Sequence, residues 1–262
     1  RTIREIVTRV LAQSIEGVNA LEVVIVDDCS TDGSADIIRE LKKDYPEAIH
    51  PILLEQNQGK GNAISTAIQA ATGDIAIIQD ADLEYDPADY GIVLQPIIEG
   101  AADVVYGSRF AEREERRVLY FRHTLANRVL TFISNWFTDL NLTDMETCYK
   151  AFRLEVAKTI PIRSKSFGIE PELTAKFAKR KLRIFEVPIS YHGRTYAEGK
   201  KITWSDGLEA LWTILKYWVI DDMFQGDYGH KDLIDMEAAP KYTEWTLART
   251  RPYVGDLLLE IG

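Results

Sequence analysis

Cysteine is scarce: Cys29 and Cys148 are the only two in 262 residues, far apart and in no Cys-x-x-Cys spacing. That argues against a disulfide framework and a structural zinc site, and makes a reducing cytoplasm the expected compartment. Long apolar runs are missing as well. No stretch of about 18 uncharged apolar residues is present to cross a bilayer; the nearest candidate, Ile202 to Ile220, contains Asp206, Glu209 and Lys216. No signal peptide is visible. Positive charge is in deficit, with 31 Lys and Arg against 41 Asp and Glu for a net charge of -10. A nucleic-acid partner is therefore not expected, since its electrostatic footprint would be basic. Any affinity for phosphate must come from local cations or a metal ion. With 46% apolar residues, the chain has material for one large α/β domain and a short appendage, not for two complete domains.

What is present is an alternation of apolar strands and amphipathic helices. Helical spacing at Ile3, Ile6, Val7, Val10 and Leu11 is followed by a strand at 21–26, a helix at 35–43 and a strand at Ile52 to Leu54. A helix at 59–71, a strand at 75–79, a helix from Pro87 to Glu99 with proline in its first turn and a strand at 103–106 continue the pattern. Alternation of this kind predicts a mostly parallel sheet with helices on both faces. A long helix at 119–137, a helix at 169–181, a strand at 182–191 carrying Pro188 at a sheet edge, and a last helix at 203–220 follow.

Two strand ends are acidic. The run 75–79 leads into Asp80, Ala81, Asp82, Leu83 and Glu84, and in extended chain the three carboxylates two apart share one side. Such a cluster suits Mg²⁺ or Mn²⁺, at the sheet end where open α/β proteins bind ligands; an ordinary acidic turn is the plainer alternative. Val23 to Val26 ends in Asp27 and Asp28, placed to accept hydrogen bonds from a base and from ribose hydroxyls. Asp32 or Ser34 is expected to cap the helix that follows.

Val-Asp27-Asp28-Cys-Ser-Thr-Asp32-Gly, Asn57-Gln-Gly59-Lys60-Gly61-Asn-Ala, Asp80-Ala81-Asp82-Leu-Glu84 and Gly107-Ser-Arg109-Phe, in this order and spacing, resemble glycosyltransferase family 2, in particular its dolichol-phosphate mannose synthase-like branch. The resemblance runs from about Arg1 to about residue 220. It implies a GT-A (Rossmann-like) fold whose first strand, with a Val-x-Tyr-Asn-Glu-like nucleotide contact, would precede Arg1. Residues 221–262 are then a linker ending in Asp256-Leu-Leu-Leu-Glu260-Ile-Gly262, which resembles the opening strand of an S-adenosylmethionine-dependent methyltransferase domain; a hydrophobic tail is the alternative.

The resemblance implies an inverting, metal-dependent transfer of a hexose from a nucleotide-diphosphate sugar, GDP-mannose or a UDP-sugar, to a polyprenyl or dolichyl phosphate. Asp27, Asp28, Lys60, Asp80, Ala81 and Asp82 are the expected donor-binding residues, and Asp80, Asp82 and Glu84 the expected metal ligands. Glu84 departs from the family's glutamine. Lys60 stands either beside the nucleotide or in solvent. The acceptor phosphate is assigned to Arg194 and Lys200, whose spacing is similar to the family's phosphate pair, and to Arg109 and Arg122; Ala126 stands where the family has a serine. Pairing with Glu112, Glu114 or Glu115 is the alternative for each arginine. Asp144 aligns with an aspartate of the family and is the candidate general base for a hydroxyl acceptor, or a brace for its loop.

Two competing activities stand beside this one: a same-fold transferase acting on a hydroxyl of a glycan, lipid or small molecule, and a nucleotidyltransferase or non-catalytic sugar-nucleotide binder. The helix at 203–220, with Trp204, Leu208, Leu211, Trp212, Leu215 and Trp218, either packs into the core or lies peripherally on the inner face of the membrane.

Overall fold

The computed structural model describes residues 2–112, 117–118, 120–166, 168–193 and 204–222, the side chains of 204–206 excepted. The chain divides into two units, Arg1–Asp222 and Met223–Gly262, and all described residues lie in the first. The methyltransferase-like stretch falls outside them.

Apolar residues at helical spacing form α1 (Thr2–Leu11), which buries Ile6, Val7 and Val10. Next come β1 (Val23–Asp27), α2 (Ser34–Asp44) and β2 (Ile49–Leu53). β1 and β2 pair in parallel, Val23 opposite Ile49 and Asp27 opposite Leu53, with α2 as the crossover that such a pair needs. Ile25 and Ile49 meet Ile38 and Leu41 of α2 and Ile6 and Val7 of α1 in one apolar cluster. The cap of α2 differs from expectation. Gly33, at φ 84°, holds the N-cap position with no side-chain bond, and Asp32 accepts from the Ser34 amide at 3.1 Å and its hydroxyl at 2.6 Å.

After α3 (Lys60–Ala70) and β3 (Ile75–Ile77), a 3₁₀ turn at Pro87–Asp89 opens α4 (Tyr90–Ile98), and Asp86 accepts from the Ala88 amide at 3.1 Å. β4 (Val104–Ser108), α5 (Phe121–Thr138), β5 (Lys150–Arg153), α6 (Leu154–Lys158), α7 (Ile169–Lys179), β6 (Ile184–Pro188) and α8 (Trp204–Val219) complete the order. Four strands form a second sheet, β3-β5-β4-β6. β4 and β6 are parallel, and β6 lies at the edge where Pro188 can end it.

β5 and α6 were not read from the sequence. β5 runs antiparallel to β3 and to β4, with Ile77 opposite Ala151 and Tyr106 opposite Lys150. Its first residue thus lies at the carboxyl ends of β3 and β4, so the loop 143–149 arrives where the acidic strand end emerges. Alternate residues separate two cores: Val104, Tyr106 and Phe152 pack with Ile169, Leu173 and Phe177, whereas Val105 and Ala151 pack with Tyr90, Val93 and Leu94. With helices on both faces, the architecture is α/β as expected.

Candidate functional site

The first acidic strand end is a brace for a loop. Asp27 is buried and its Oδ2 accepts from the Ser30 amide at 3.1 Å. Both oxygens of Asp28 are taken, by the Gln58 and Gly59 amides at 2.7 Å each, and the Asn57 side chain donates to the Asp28 carbonyl at 3.2 Å. The carboxylate therefore fixes the loop that delivers Lys60. Gly59, at φ 90°, and Gly61 press this loop onto the backbone at 164–165, where the Gly61 amide donates to the Lys165 carbonyl at 2.9 Å. A Cβ on Gly61 would stand 1.8 Å from the Ser164 carbonyl oxygen. Glu172 holds the other side of the contact, accepting from the Arg163 amide at 2.8 Å and the Ser164 amide at 2.6 Å. A cavity of about 880 Å³ opens here, lined by Leu54, Glu55, Asn57, Gln58, Gly59 and Lys165 among others, within the range of small-ligand sites.

The second acidic strand end turns instead of extending. β3 stops at Ile77, and Leu83 takes a left-handed conformation at φ 64°, so the alternation that would place three carboxylates on one side is broken. Asp82 Oδ1 accepts from the Glu84 amide at 3.1 Å. Glu84 is buried and accepts from the Tyr191 hydroxyl at 2.7 Å. Among the described residues no three His, Cys, Asp or Glu side chains converge on a cation position. The expected triad of Asp80, Asp82 and Glu84 does not share one side here: Glu84 accepts from Tyr191, while Ala81 sits exposed in the turn between Asp80 and Asp82. Gln79 orients the entry to this turn, donating to the Asp80 carbonyl at 2.9 Å and accepting from Tyr90 at 3.0 Å and Tyr149 at 2.6 Å.

Lys60 belongs to this strand end and not to bulk solvent. Its ammonium lies 3.1 Å from Asp80 Oδ2 and 2.9 Å from Glu170 Oε1. Burial works to lower its pKa, but Glu170, the Cys148 thiol and Asp80 hold it well above the ordinary lysine value. Burial pushes the Cys148 thiol itself up, with the Asp80 charge adding to the effect.

Arg109 and Asp144 are brought together, which is the bracing alternative that the sequence left open for Asp144. Arg109 Nε and Nη2 donate to Asp144 Oδ2 and Oδ1 at 2.6 and 2.7 Å, and the Arg109 amide donates to Oδ2 at 3.0 Å. Asp144 is fully buried, and the arginine side chain is 9% exposed. The carboxylate is a brace and not an open base, and the guanidinium is not an open phosphate ligand. Glu114 and Glu115, offered as alternative partners, lie outside the described residues. Arg109 lies over the Tyr191 ring at 5.2 Å, joining this pair to the anchor of Glu84. Arg122 sits exposed on α5. Arg194 and Lys200 lie outside the described residues.

Two carboxylates escaped the sequence reading. Glu170 opens α7, where an acid in the first helical turn is ordinarily explained by the helix dipole alone. Glu146 lies in the loop before β5, its Oε1 enclosed with no hydrogen-bond partner. Burial first, and then the Glu170 charge, push its carboxyl up to about 8 against the pull of Lys150 and Arg109. No periodicity or spacing marks either residue.

Aspartates at two strand ends of an α/β fold do not by themselves name a protein, and the family follows from direct comparison. The chain belongs to glycosyl transferase family 2, whose model matches residues 1–160. It is 28% identical over 199 residues to an undecaprenyl-phosphate 4-deoxy-4-formamido-L-arabinose transferase of Edwardsiella ictaluri, covering 76% of this chain and 58% of the relative. It is 29% identical over 195 residues to a UDP-N-acetylglucosamine–dolichyl-phosphate N-acetylglucosaminyltransferase of Methanococcus voltae, covering 68% of this chain and 78% of the relative. The chain thus spans little more than half the length of the arabinose transferase. Glucosyl-3-phosphoglycerate synthase from Mycobacterium tuberculosis, crystallised with Mn²⁺, uridine diphosphate and phosphoglyceric acid, shares the fold: TM-score 0.57, 18% identity, 77% of this chain and 69% of the other covered.

Proposed function

We propose that this chain transfers a hexose, with inversion, from a nucleotide-diphosphate sugar (GDP-mannose or a UDP-sugar) to a polyprenyl or dolichyl phosphate. The observation that carries the acceptor class is the closed Arg109–Asp144 pair. A hydroxyl acceptor needs a general base within reach, and the aspartate best placed by sequence is occupied. A phosphate monoester has a second pKa near about 6 and is already largely dianionic at neutral pH, so it needs only positioning and charge compensation. The relatives named for undecaprenyl- and dolichyl-phosphate transfer support the same class.

Asp80 and Asp82 are the residues that would hold Mg²⁺ or Mn²⁺. Their donor set fits: hard carboxylate oxygens, part-exposed, with only two protein ligands, as suits a small cation that takes its remaining oxygens from phosphate and water. When bound, the ion supplies Lewis-acid stabilisation to the departing nucleoside diphosphate. The chain's own residues do the rest. Asp28 fixes the 57–59 loop that walls the nucleotide cavity, Asp27 closes the strand end beside it, and Lys60 brings positive charge to the diphosphate. Arg194 and Lys200, and Arg122 on α5, are assigned to the acceptor phosphate.

A peripheral position on the inner membrane face fits the surface. Phe121, Leu125, Val129, Phe132 and Trp136 are exposed along one side of α5, whose only formal charges are Arg122 and Arg128. On α8, Leu208, Trp212 and Trp218 are exposed while Ala210, Ile214 and Tyr217 are buried, so that helix serves the core and presents an apolar face. Among the described residues no helix is long and apolar enough to span a membrane.

Titration calorimetry with a panel of GDP- and UDP-sugars, with and without Mn²⁺, followed by transfer assays on polyprenyl phosphate, tests the proposal. Mn²⁺-dependent donor binding lost in Asp82→Ala is expected; normal turnover by that variant would sink it. Flotation with anionic liposomes tests the surface. A second reading, a hydroxyl acceptor with Glu146 as base, is favoured by the unpartnered Oε1 and a pKa of about 8; Glu146→Gln would then abolish transfer, whereas phosphate transfer tolerates it.

A further inference from the structure

Lys60 bridges two acids of unlike surroundings. Asp80 has a side chain 32% exposed, whereas that of Glu170 is 8% exposed. Glu170 Oε1 bonds Lys60 at 2.9 Å, and its Oε2 is enclosed with no hydrogen-bond partner. A buried carboxylate with an orphaned oxygen cannot readily give up the ammonium that is its ion-pair partner among the described residues, but a part-exposed carboxylate holds an ammonium weakly. A divalent ion that ligates Asp80 meets this ammonium at 3.1 Å from the same carboxylate. Two cations on one carboxylate repel, which favours a shift of the ammonium away from Asp80 and toward Glu170, whose side chain is the more buried of the two.

We propose that Lys60 is a tethered internal cation that competes with the metal for Asp80, and that Glu170 is the positioning residue that retains Lys60 when the metal enters. The inference rests on Asp80 as a metal ligand. It makes the Asp80 carboxylate partly neutralised without donor: metal is admitted most readily together with a diphosphate, whose charge gives the displaced ammonium a second anion. Loss of Glu170 leaves Lys60 with Asp80 alone and tightens the competition.

The test is Mn²⁺ affinity without nucleotide, read by electron paramagnetic resonance of the free ion, on the intact chain. Lys60→Met is expected to bind Mn²⁺ about ten-fold more tightly than wild type, and Glu170→Gln several-fold more weakly. In the Lys60→Met background the Glu170→Gln change is expected to have little effect, because its action runs through the lysine. The Lys60→Met/Glu170→Gln double variant leaves no unpaired buried charge, so it serves even where the lysine variant alone folds poorly; it too should bind more tightly than wild type. Unchanged or weaker binding in the double variant would overturn the inference. So would an equal loss from Glu170→Gln in both backgrounds, which is direct attraction of the metal by Glu170. Wild type that binds no Mn²⁺ with or without a UDP- or GDP-sugar defeats the metal assignment itself, whereas wild-type binding that the lysine variant fails to tighten defeats this inference alone.

Discussion

Arg109 grips Asp144 with two prongs, Nε to Oδ2 at 2.6 Å and Nη2 to Oδ1 at 2.7 Å, in a pocket where the carboxylate has no exposed surface. The pair ties the end of β4 to the loop that precedes β5. Burial would lower the guanidinium, but Asp144 keeps it well above its ordinary value.

Breaking one side of that pair strands a buried charge. Arg109→Gln and Asp144→Asn are each expected to cost about 3–5 kcal/mol of stability, and the double variant much less than their sum. Urea unfolding of the four proteins measures this. Simple additivity would mean that the two side chains do not depend on each other, and would reopen a direct chemical role for Asp144.

Glu146 gives stability a pH dependence of definite sign. Its folded pKa of about 8 lies above the ordinary 4.5, so the native protein keeps a proton that the unfolded chain releases. Stability from this group is full below about pH 4.5 and is lost as pH rises through about 8, at most on the order of 5 kcal/mol in all. Glu146→Gln is expected to flatten that part of the profile and to raise the melting temperature most at about pH 8.5. Parallel melting curves for variant and wild type across this window would contradict the assignment.

Gly61→Ala is expected to damage the site through the backbone. The added methyl would meet the Ser164 carbonyl, which Glu172 holds in place through the neighbouring amides. The start of α3 must shift, and Lys60 with it. A loss of about 1–3 kcal/mol and at least a ten-fold weaker nucleotide-sugar affinity are expected from melting and calorimetry; Gly91→Ala, where a Cβ meets nothing within 4 Å, is the control.

Asp103 ties three strands of the second sheet. It accepts from Arg183 Nη2 at 2.7 Å and Nε at 3.0 Å, and Arg153 Nε lies at 3.4 Å. The bonds from Arg183 bring its carboxyl down to about 2. Since that value lies below the ordinary one, the stabilisation is present above about pH 4 and lost as pH falls through about 2. With Arg183 54% exposed, solvent screening limits it to about 1 kcal/mol. Acid titration of Asp103→Asn is expected to show a correspondingly shallower loss.

The alternation of strands and helices was legible because apolar periodicity is written locally. α1, α2, α3 and the strands that precede the acidic turns all lie within a few residues of their expected bounds. β5 was missed for a physical reason. It is four residues long and begins with Lys150, a buried lysine that donates to the Met145 and Thr147 carbonyls; a charged residue at a strand's start reads as loop until those acceptors are seen. The extended alternation of the three acids is broken at Leu83, whose left-handed backbone no side-chain pattern announces. Lys60 with Glu170, and Arg109 with Asp144, are joined across 110 and 35 positions, a separation that motif spacing does not encode. Lys60, Asp80, Arg109 and Asp144 were named from sequence; Glu170, and which residue pairs with which, had to come from the fold.

Because β5 runs against its neighbours, its leading loop, and not its trailing one, opens at the rim where the other strands finish. The loop 143–149 thereby meets the turn after β3 from the opposite chain direction, which brings Cys148 to Lys60 and Glu146 to Glu170.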